Sequence, residues 1–412
     1  MNIMDESIFE RESQVRSYCR KYPVVFSKAQ NAIITSEDGR EYIDFLAVAG
    51  SMNYGHNNPD IKKRVSDYIM SDGIISALDM YTEAKETFFD VFCNKILDKR
   101  GFDYKIMCCG STGTNAVEAA LKLARKNTGR TGIIAFSGAF HGMSLGSLAC
   151  TTDRKSRRGA GVPLNNTVFV PYEGKLDSVA YIRWILEDDH SGIEKPAAII
   201  LETVQAEGGI NVASPEWLKE IRKICDEYSI LLIVDDIQVG CGRTGHFFSF
   251  ERAGIVPDMV VLSKSISGFG LPMSLLLMKP ELDIFEPAEH NGTFRGNQLA
   301  FVGASAAIDY YTEHDMETQC RKKGEIIRKY LEDNILSIDS QISIRGIGMI
   351  WGIDLSGIDD SLTSKVIHNC FERGLIIEAA GRHDSVLKIL PPLTIEEDLL
   401  YKGLEIIKEA IK

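Results

Sequence analysis

"DMVVLSKSISGFG", residues 258–270, sets one lysine, Lys264, between an apolar run and a glycine-rich turn, with a serine on either side. The run "MVVLS" (259–263) is short, β-branched and apolar on both faces. A strand reads that way when helices cover both sides of its sheet. A lysine at the end of such a strand loses solvation, and desolvation lowers the pKa of an amine toward neutrality. A neutral amine is a nucleophile. The plain alternative is a lysine that caps the strand and reaches solvent, and Lys264 alone does not separate the two.

Outward from this stretch the pattern repeats. "TGIIAF" (131–136), "AAIILE" (197–202) and "ILLIVDD" (230–236) also read as buried strands, with helical patterns such as "TNAVEAALKLARKN" (114–127) and "PEWLKEIRKICDEYS" (215–229) between them. Such alternation predicts a large α/β domain of three layers around a mostly parallel sheet, over residues 55–305. After that the pattern changes. A long helix, "LAFVGASAAIDYYTEHD", is followed by "METQCRKKGEIIRKYLEDNI" and by strand-like pieces, "ISIRGIGMIWGIDL" and "LKILPPLTI". Residues 306–412, joined by 1–54, are therefore assigned to a smaller α+β domain. Within it "GIGMIWG" (346–352) is not GxGxxG and opens no helix, so it reads as a packed strand and not as a dinucleotide site.

Composition narrows the function classes. A chain of 412 residues exceeds one small core. The formal net charge of −12 argues against nucleic-acid and anionic-membrane partners, which need a basic face. No apolar run has the length of a membrane span. The first 23 residues mix charges at helical spacing without a signal-peptide core, which makes the cytoplasm the default. The nine cysteines are irregularly spaced and form no CxxC pair, so reduced thiols are expected. The eight histidines form no HxxxH or Cys/His cluster, and no metal is expected.

Four further stretches bear on Lys264. In "CCGSTGTNAVEAALKLAR" small and hydroxyl residues, among them Thr112, Gly113 and Thr114, precede an amphipathic helix. Free backbone N–H groups at a helix start suit a phosphate, and an ordinary helix cap reads the same way. In "IVDDIQVGCGRTG" Asp235 closes an apolar strand and Gln238 follows three residues later. Carboxylates at the C-terminal ends of parallel strands face the crevice where α/β proteins bind ligands, although a lone Asp also caps turns. In "GAFHGMSLGSL" Phe140 and His141 follow a strand, the phenyl ring being either core or a stacking face. In "HNGTFRGNQLAF" Thr293 either caps the region or touches an anion.

A phosphate cradle, a buried carboxylate, an aromatic face and a nucleophilic lysine together match one ligand, pyridoxal phosphate. At this point a resemblance emerges. Through "YIDFLAVAGSMNYGHNNP", "ETVQAEGG", "DDIQVGCGRTG", "LSKSISGFGLP" and "LKILPPLTIEEDLL" the sequence resembles the class III pyridoxal-phosphate-dependent aminotransferases over nearly its whole length. The resemblance implies fold type I and an active unit of at least a dimer. A finer likeness, carried by "ALDMYTEAKETF" and "EHNGTFRGNQLAF", is to the diaminobutyrate–2-oxoglutarate aminotransferases.

Carried over residue by residue, the likeness implies that Lys264 links to the cofactor and Asp235 pairs with its ring nitrogen. Gln238 would contact the ring hydroxyl, Phe140 would cover the ring with His141 beside it, and Thr112, Gly113 and Thr114 would hold the phosphate. Thr293 would reach the phosphate of the neighbouring subunit. Glu207 matches an acid that in relatives pairs with an arginine and helps switch between two substrates. Here Lys388 stands in that arginine's place, and lysine lacks the planar fork that grips carboxylates. Arg295 stands where many relatives have glycine.

The expectation is that Arg295 and Lys388 help hold a substrate carboxylate. The alternative pairs Arg295 with a surface acid and Lys388 with Glu207. The implied reaction moves the amino group of L-glutamate to L-aspartate 4-semialdehyde, for ectoine, siderophore or peptide-antibiotic routes. Transamination of ornithine, 4-aminobutyrate or another terminal amine is the main rival, and racemisation on the same scaffold a lesser one.

Overall fold

The computed structural model describes residues 11–174, 176–359 and 361–412. Its centre is a seven-stranded sheet built from β1 (Lys105–Gly110), β2 (Ile133–Phe136), β3 (Thr167–Val170), β4 (Ala198–Leu201), β5 (Leu231–Asp235), β6 (Met259–Leu262) and β7 (Ser274–Met278), in the spatial order β1-β7-β6-β5-β4-β2-β3. β7 runs antiparallel to both its neighbours, and the other pairs are parallel. The four expected strands are all present. β1, β3 and β7 complete the sheet.

Alternation along each strand divides its side chains between two cores. Ile134, Phe136, Leu201, Leu232, Val234 and Leu262 pack on one face, while Ile133, Ala135, Ile200, Ile233 and Val261 pack on the other. Both faces are buried, which is why these strands read as continuous apolar runs. Helix α1 (Gly113–Thr128) covers the second face with Ala116, Val117, Ala120 and Leu121. It ends at Gly129, whose φ of 67° is the left-handed turn that glycine closes at least cost.

Because six strands share one direction, their C-terminal ends lie along one edge, and the loops leaving that edge carry most of the expected site residues.

The N-terminal strands Phe26–Gln30, Ile33–Ser36 and Glu41–Asp44 form an antiparallel sheet, which Leu375–Ile376 joins in parallel beside Glu41–Asp44. A further sheet contains β8 (Ser343–Ile347), β9 (Ile350–Asp354), β10 (Glu378–Ala380) and β11 (Val386–Ile389), in the order β8-β9-β11-β10. "GIGMIWG" is the β8–β9 hairpin. Gly348, at its turn, has a φ of 54°, and a Cβ there would lie 2.4 Å from the Arg243 carbonyl oxygen.

The N-terminus departs from expectation, and the cysteines do not. Of the charged N-terminal stretch, residues 1–10 lie outside the described residues, and only Tyr18–Lys21 of the remainder is helical. All nine cysteines are unpaired.

Candidate active site

Lys264 stands one residue beyond β6, after Ser263, and adopts a left-handed backbone, with φ of 53°. That conformation is uncommon outside glycine, and it is held here by the two serines that flank the lysine. Ser263 Oγ donates to the Met273 carbonyl at 2.7 Å. Ser265 Oγ donates to the Gly50 carbonyl at 2.7 Å and accepts from the Asn53 N–H at 3.1 Å. Both serines are buried. Burial pushes the Lys264 pKa below the usual lysine range, against the pull of Glu207, while Lys388 adds to the lowering. The amine thus has the electrostatic setting of a nucleophile.

Asp235, at the end of β5, is 5% exposed. Its Oδ1 accepts from the Ile237 N–H at 3.1 Å, and its Oδ2 lies 2.7 Å from His141 Nδ1. A carboxylate only accepts, so the imidazole is the donor. His141 Nε2 is buried without a partner among the described residues. Phe140 beside it is partly exposed, and its N–H donates to Glu202 Oε1 at 3.0 Å. Glu202 closes β4. Burial, reinforced by Asp235, raises its carboxyl pKa well above the ordinary value.

The start of α1 lies beside these groups. The N–H groups of Gly113 and Thr114, in its first turn, have no preceding turn of carbonyls to bond. Thr114 Oγ1 lies 2.9 Å from Ser144 Oγ and 2.5 Å from Ser147 Oγ, so three hydroxyls converge. A Cβ on Gly113 would come within 2.7 Å of Ile237, and one on Gly142 within 2.6 Å of Thr114 Oγ1. Glycine is required at both places for the loops to approach so closely.

Gln238 Nε2 donates to the Ala49 carbonyl at 2.8 Å and to Glu207 Oε1 at 3.1 Å. Ala49 lies in a left-handed run, Ala47 to Gly50, with φ of 45°, 50°, 53° and 84°. Asp44 Oδ1 secures its entry by accepting from the N–H groups of Leu46 and Ala47, each at 2.8 Å.

Lys388, fully buried in β11, bonds Glu207 at 2.6 Å and pairs with Glu378 at 2.8 Å. Burial works to raise the Glu207 pKa, but Lys388 and Lys264, with the hydrogen bond from Gln238, hold it down to about 2. Of the two sequence readings, the pairing of Lys388 with Glu207 is the one this geometry contains. Among the described residues Arg295 pairs with no acid. Its guanidinium donates to the His290 carbonyl in a cleft lined also by Lys85, Lys105, Asp79 and Asp283. None of Lys264, Asp235, Gln238 or Thr112 lines that cleft, and without the amine it is not the reaction centre. Thr293 is exposed on the turn before Arg295.

The crevice of one chain therefore brings together Lys264, Asp235, His141, Phe140, Gln238, Glu207, Lys388 and the 112–114 turn, and Arg295 lies in a separate cleft. Sequence reasoning passed over Glu202, Glu378, Ser144 and Ser147. Glu202 ends "AAIILE" as Asp235 ends "ILLIVD", and the strand-end rule that singled out one acid applies to the other.

The arrangement fits pyridoxal phosphate. An amine, a buried acid anchored by a histidine, an exposed phenyl face and a hydroxyl-rich helix start lie at adjoining strand ends, and loops that tolerate no Cβ leave space for a phosphate.

A family model described as "Aminotransferase class-III" matches residues 16–411. The chain is 51% identical to the diaminobutyrate–2-oxoglutarate transaminase of Bordetella parapertussis, over 99% of this chain and 95% of that one. It is 51% identical to the enzyme of the same name from Halalkalibacterium halodurans, over 100% and 97%. Among solved structures, the ornithine aminotransferase of Toxoplasma gondii, with partial occupancy of PLP at its active site, superposes with a TM-score of 0.86 at 24% identity, covering 100% of this chain and 95% of that one. An S-selective transaminase from Arthrobacter sp. gives 0.87 at 23% identity, covering 100% and 98%. At that identity the likeness speaks for the fold.

Proposed function

The chain belongs to the class III aminotransferases, with pyridoxal 5′-phosphate as cofactor, and from that premise we propose that it moves the amino group of L-glutamate to L-aspartate 4-semialdehyde, giving L-2,4-diaminobutyrate and 2-oxoglutarate. The observation that carries this reading is the full-length identity of about half to relatives bearing that activity in their names, together with a site that keeps both Lys264 and Asp235.

When bound, the cofactor supplies a reactive carbonyl and an electron-withdrawing ring. The residues of the chain do the rest. The α1 turn at Thr112, Gly113 and Thr114 holds the phosphate, and Phe140 covers one ring face. Asp235 keeps a proton on the ring nitrogen, and His141 holds Asp235 in position. Gln238 would contact the ring hydroxyl. Lys264, released as a free amine, carries a proton to and from the reacting carbon.

The active unit in this reading is a homodimer or larger homo-oligomer, in which Thr293 reaches the phosphate site of the neighbouring subunit and Arg295 lies beside it. The exposed side chains of Met70, Leu78, Tyr81 and Phe294 support it, as large apolar groups that a subunit interface would cover. The division into residues 55–305 and 1–54 with 306–412 follows the separate sheets. The cytoplasm suits nine unpaired thiols, and the product would serve ectoine or siderophore synthesis.

The test is a panel of amine donors scored by 2-oxoglutarate-dependent turnover. 2,4-Diaminobutyrate is expected to show the highest kcat/KM. A higher value for ornithine or 4-aminobutyrate would replace this reading with that of another ω-aminotransferase.

A further inference from the structure

Lys388 and Glu378 stand directly opposite each other on paired strands β11 and β10. Lys388 has no exposed side-chain surface and lies between two carboxylates, Glu207 at 2.6 Å and Glu378 at 2.8 Å. Glu378 is 3% exposed, and its second oxygen accepts from the Tyr18 hydroxyl at 3.0 Å. Glu207 differs from both. A third of its side-chain surface, 34%, is open, and it shares Gln238 with the crevice. Two carboxylates and one ammonium leave one net negative charge beside Lys264, and Glu207 is the member free to deliver it.

A buried lysine with a single acid partner would be left bare whenever that acid turned away, at the high cost of an uncompensated buried charge. A second acid removes that cost. We propose that Glu378 is a positioning residue that keeps Lys388 seated while Glu207 turns toward substrate, so that the crevice offers a free carboxylate, which receives the non-reacting ammonium of a diamino acid. This rests on the reading that 2,4-diaminobutyrate is the substrate reacting at its far amine. It assigns recognition of the α-ammonium, the group that separates that substrate from 4-aminobutyrate. For a substrate that carries only carboxylates, Glu207 returns to Lys388 and its charge is compensated.

The experiment compares holoenzyme kcat/KM for 2,4-diaminobutyrate and 4-aminobutyrate, which differ only in the α-ammonium, in wild type, Glu378→Gln and the double variant Glu378→Gln/Lys388→Met. Glu378→Gln keeps shape and hydrogen bonding but makes the cluster neutral. The ratio of the two kcat/KM values should fall about tenfold, mainly through the KM for diaminobutyrate, as expected for a lost charged contact. The double variant restores one net negative charge and should recover most of the ratio, which a merely structural role for Glu378 would not do. An unchanged ratio in Glu378→Gln, or a further fall in the double variant, overturns the proposal. A wild-type ratio near one would instead sink the diaminobutyrate reading itself. If Glu378→Gln does not fold, Lys388→Met alone decides. It should keep the preference for diaminobutyrate, and a large rise in KM for both donors would mean that Lys388 binds the substrate carboxylate.

Discussion

Asp235, at the end of β5, and His141, on the loop that follows β2, meet at 2.7 Å with the imidazole fully buried and the acid nearly so. The contact fixes the direction of the carboxylate and leaves its charge aimed along the strand-end crevice. Asp235→Asn preserves shape while removing that charge. The variant is expected to bind cofactor but to transfer protons slower by about two or more orders of magnitude, in line with several kcal/mol for oriented charge in a water-poor site. Single-turnover absorbance changes measure this, and near-normal half-reaction rates would exclude Asp235 as the ring partner.

Lys264 is the amine that the strand end and its serines prepare. Purified holoenzyme should be yellow. Borohydride reduction should remove the absorption band and leave the label on Lys264 in a peptide digest. Lys264→Ala should retain cofactor through the α1 turn yet lose essentially all turnover. Label on another lysine would displace the assignment.

Thr293 is exposed, on the turn before Arg295. If it serves the neighbouring subunit, Lys264→Ala and Thr293→Glu chains should each be nearly inactive as pure homodimers. After mixed refolding, the hybrid dimer contains one intact site. Activity should then return to an appreciable fraction of wild type. No recovery in verified hybrids would place Thr293 outside the partner's site.

Asp236, next to the ring partner, is fully buried, accepts from the Ser249 N–H at 2.9 Å, and has its pKa raised by burial to about 7. The folded chain therefore keeps this proton while the unfolded chain loses it at ordinary carboxylate pH, so stability falls as pH rises toward 7. Asp236→Asn can still accept from Ser249 and removes the dependence. Its melting temperature relative to wild type should rise by a few degrees between pH 5 and pH 8, from about 1.4 kcal/mol per pH unit and roughly 1–2 °C per kcal/mol in a chain this long. A relative melting temperature that does not change with pH would show that Asp236 does not titrate in this range.

Legibility in the sequence follows how local the physics is. β2, β4, β5 and β6 were readable because burial on both faces leaves runs without polar alternation. Lys264 and Asp235 were readable because a charge at the end of such a run is anomalous within a few residues. β1, β3 and β7 carry no such signal strong enough to single them out. "KIMCCG" ends in small residues, and β7 is buried by pairing antiparallel with its chain neighbour β6 on one side and with the distant β1 on the other. Glu378 and Lys388 are ordinary charges in separate apolar pieces, and only the β10–β11 register makes them partners. The fate of Arg295 likewise depends on a cleft whose walls come from distant segments.

Ser265 holds the lysine loop by bonding the Gly50 carbonyl, and Gly50 is positioned by the strand that ends at Asp44. That strand is paired on one side by Leu375–Ile376, near the far end of the chain. During synthesis the seven-stranded sheet can be completed once Met278 has left the ribosome, whereas the N-terminal strands wait for that late partner. The catalytic lysine is thus made well before its loop can be fully locked. Chains stopped short of residue 375 are expected to fold the central sheet and hold cofactor through the α1 turn, yet to leave the Lys264 loop unlocked and turnover lost, which ties competence for chemistry to a late stage of translation.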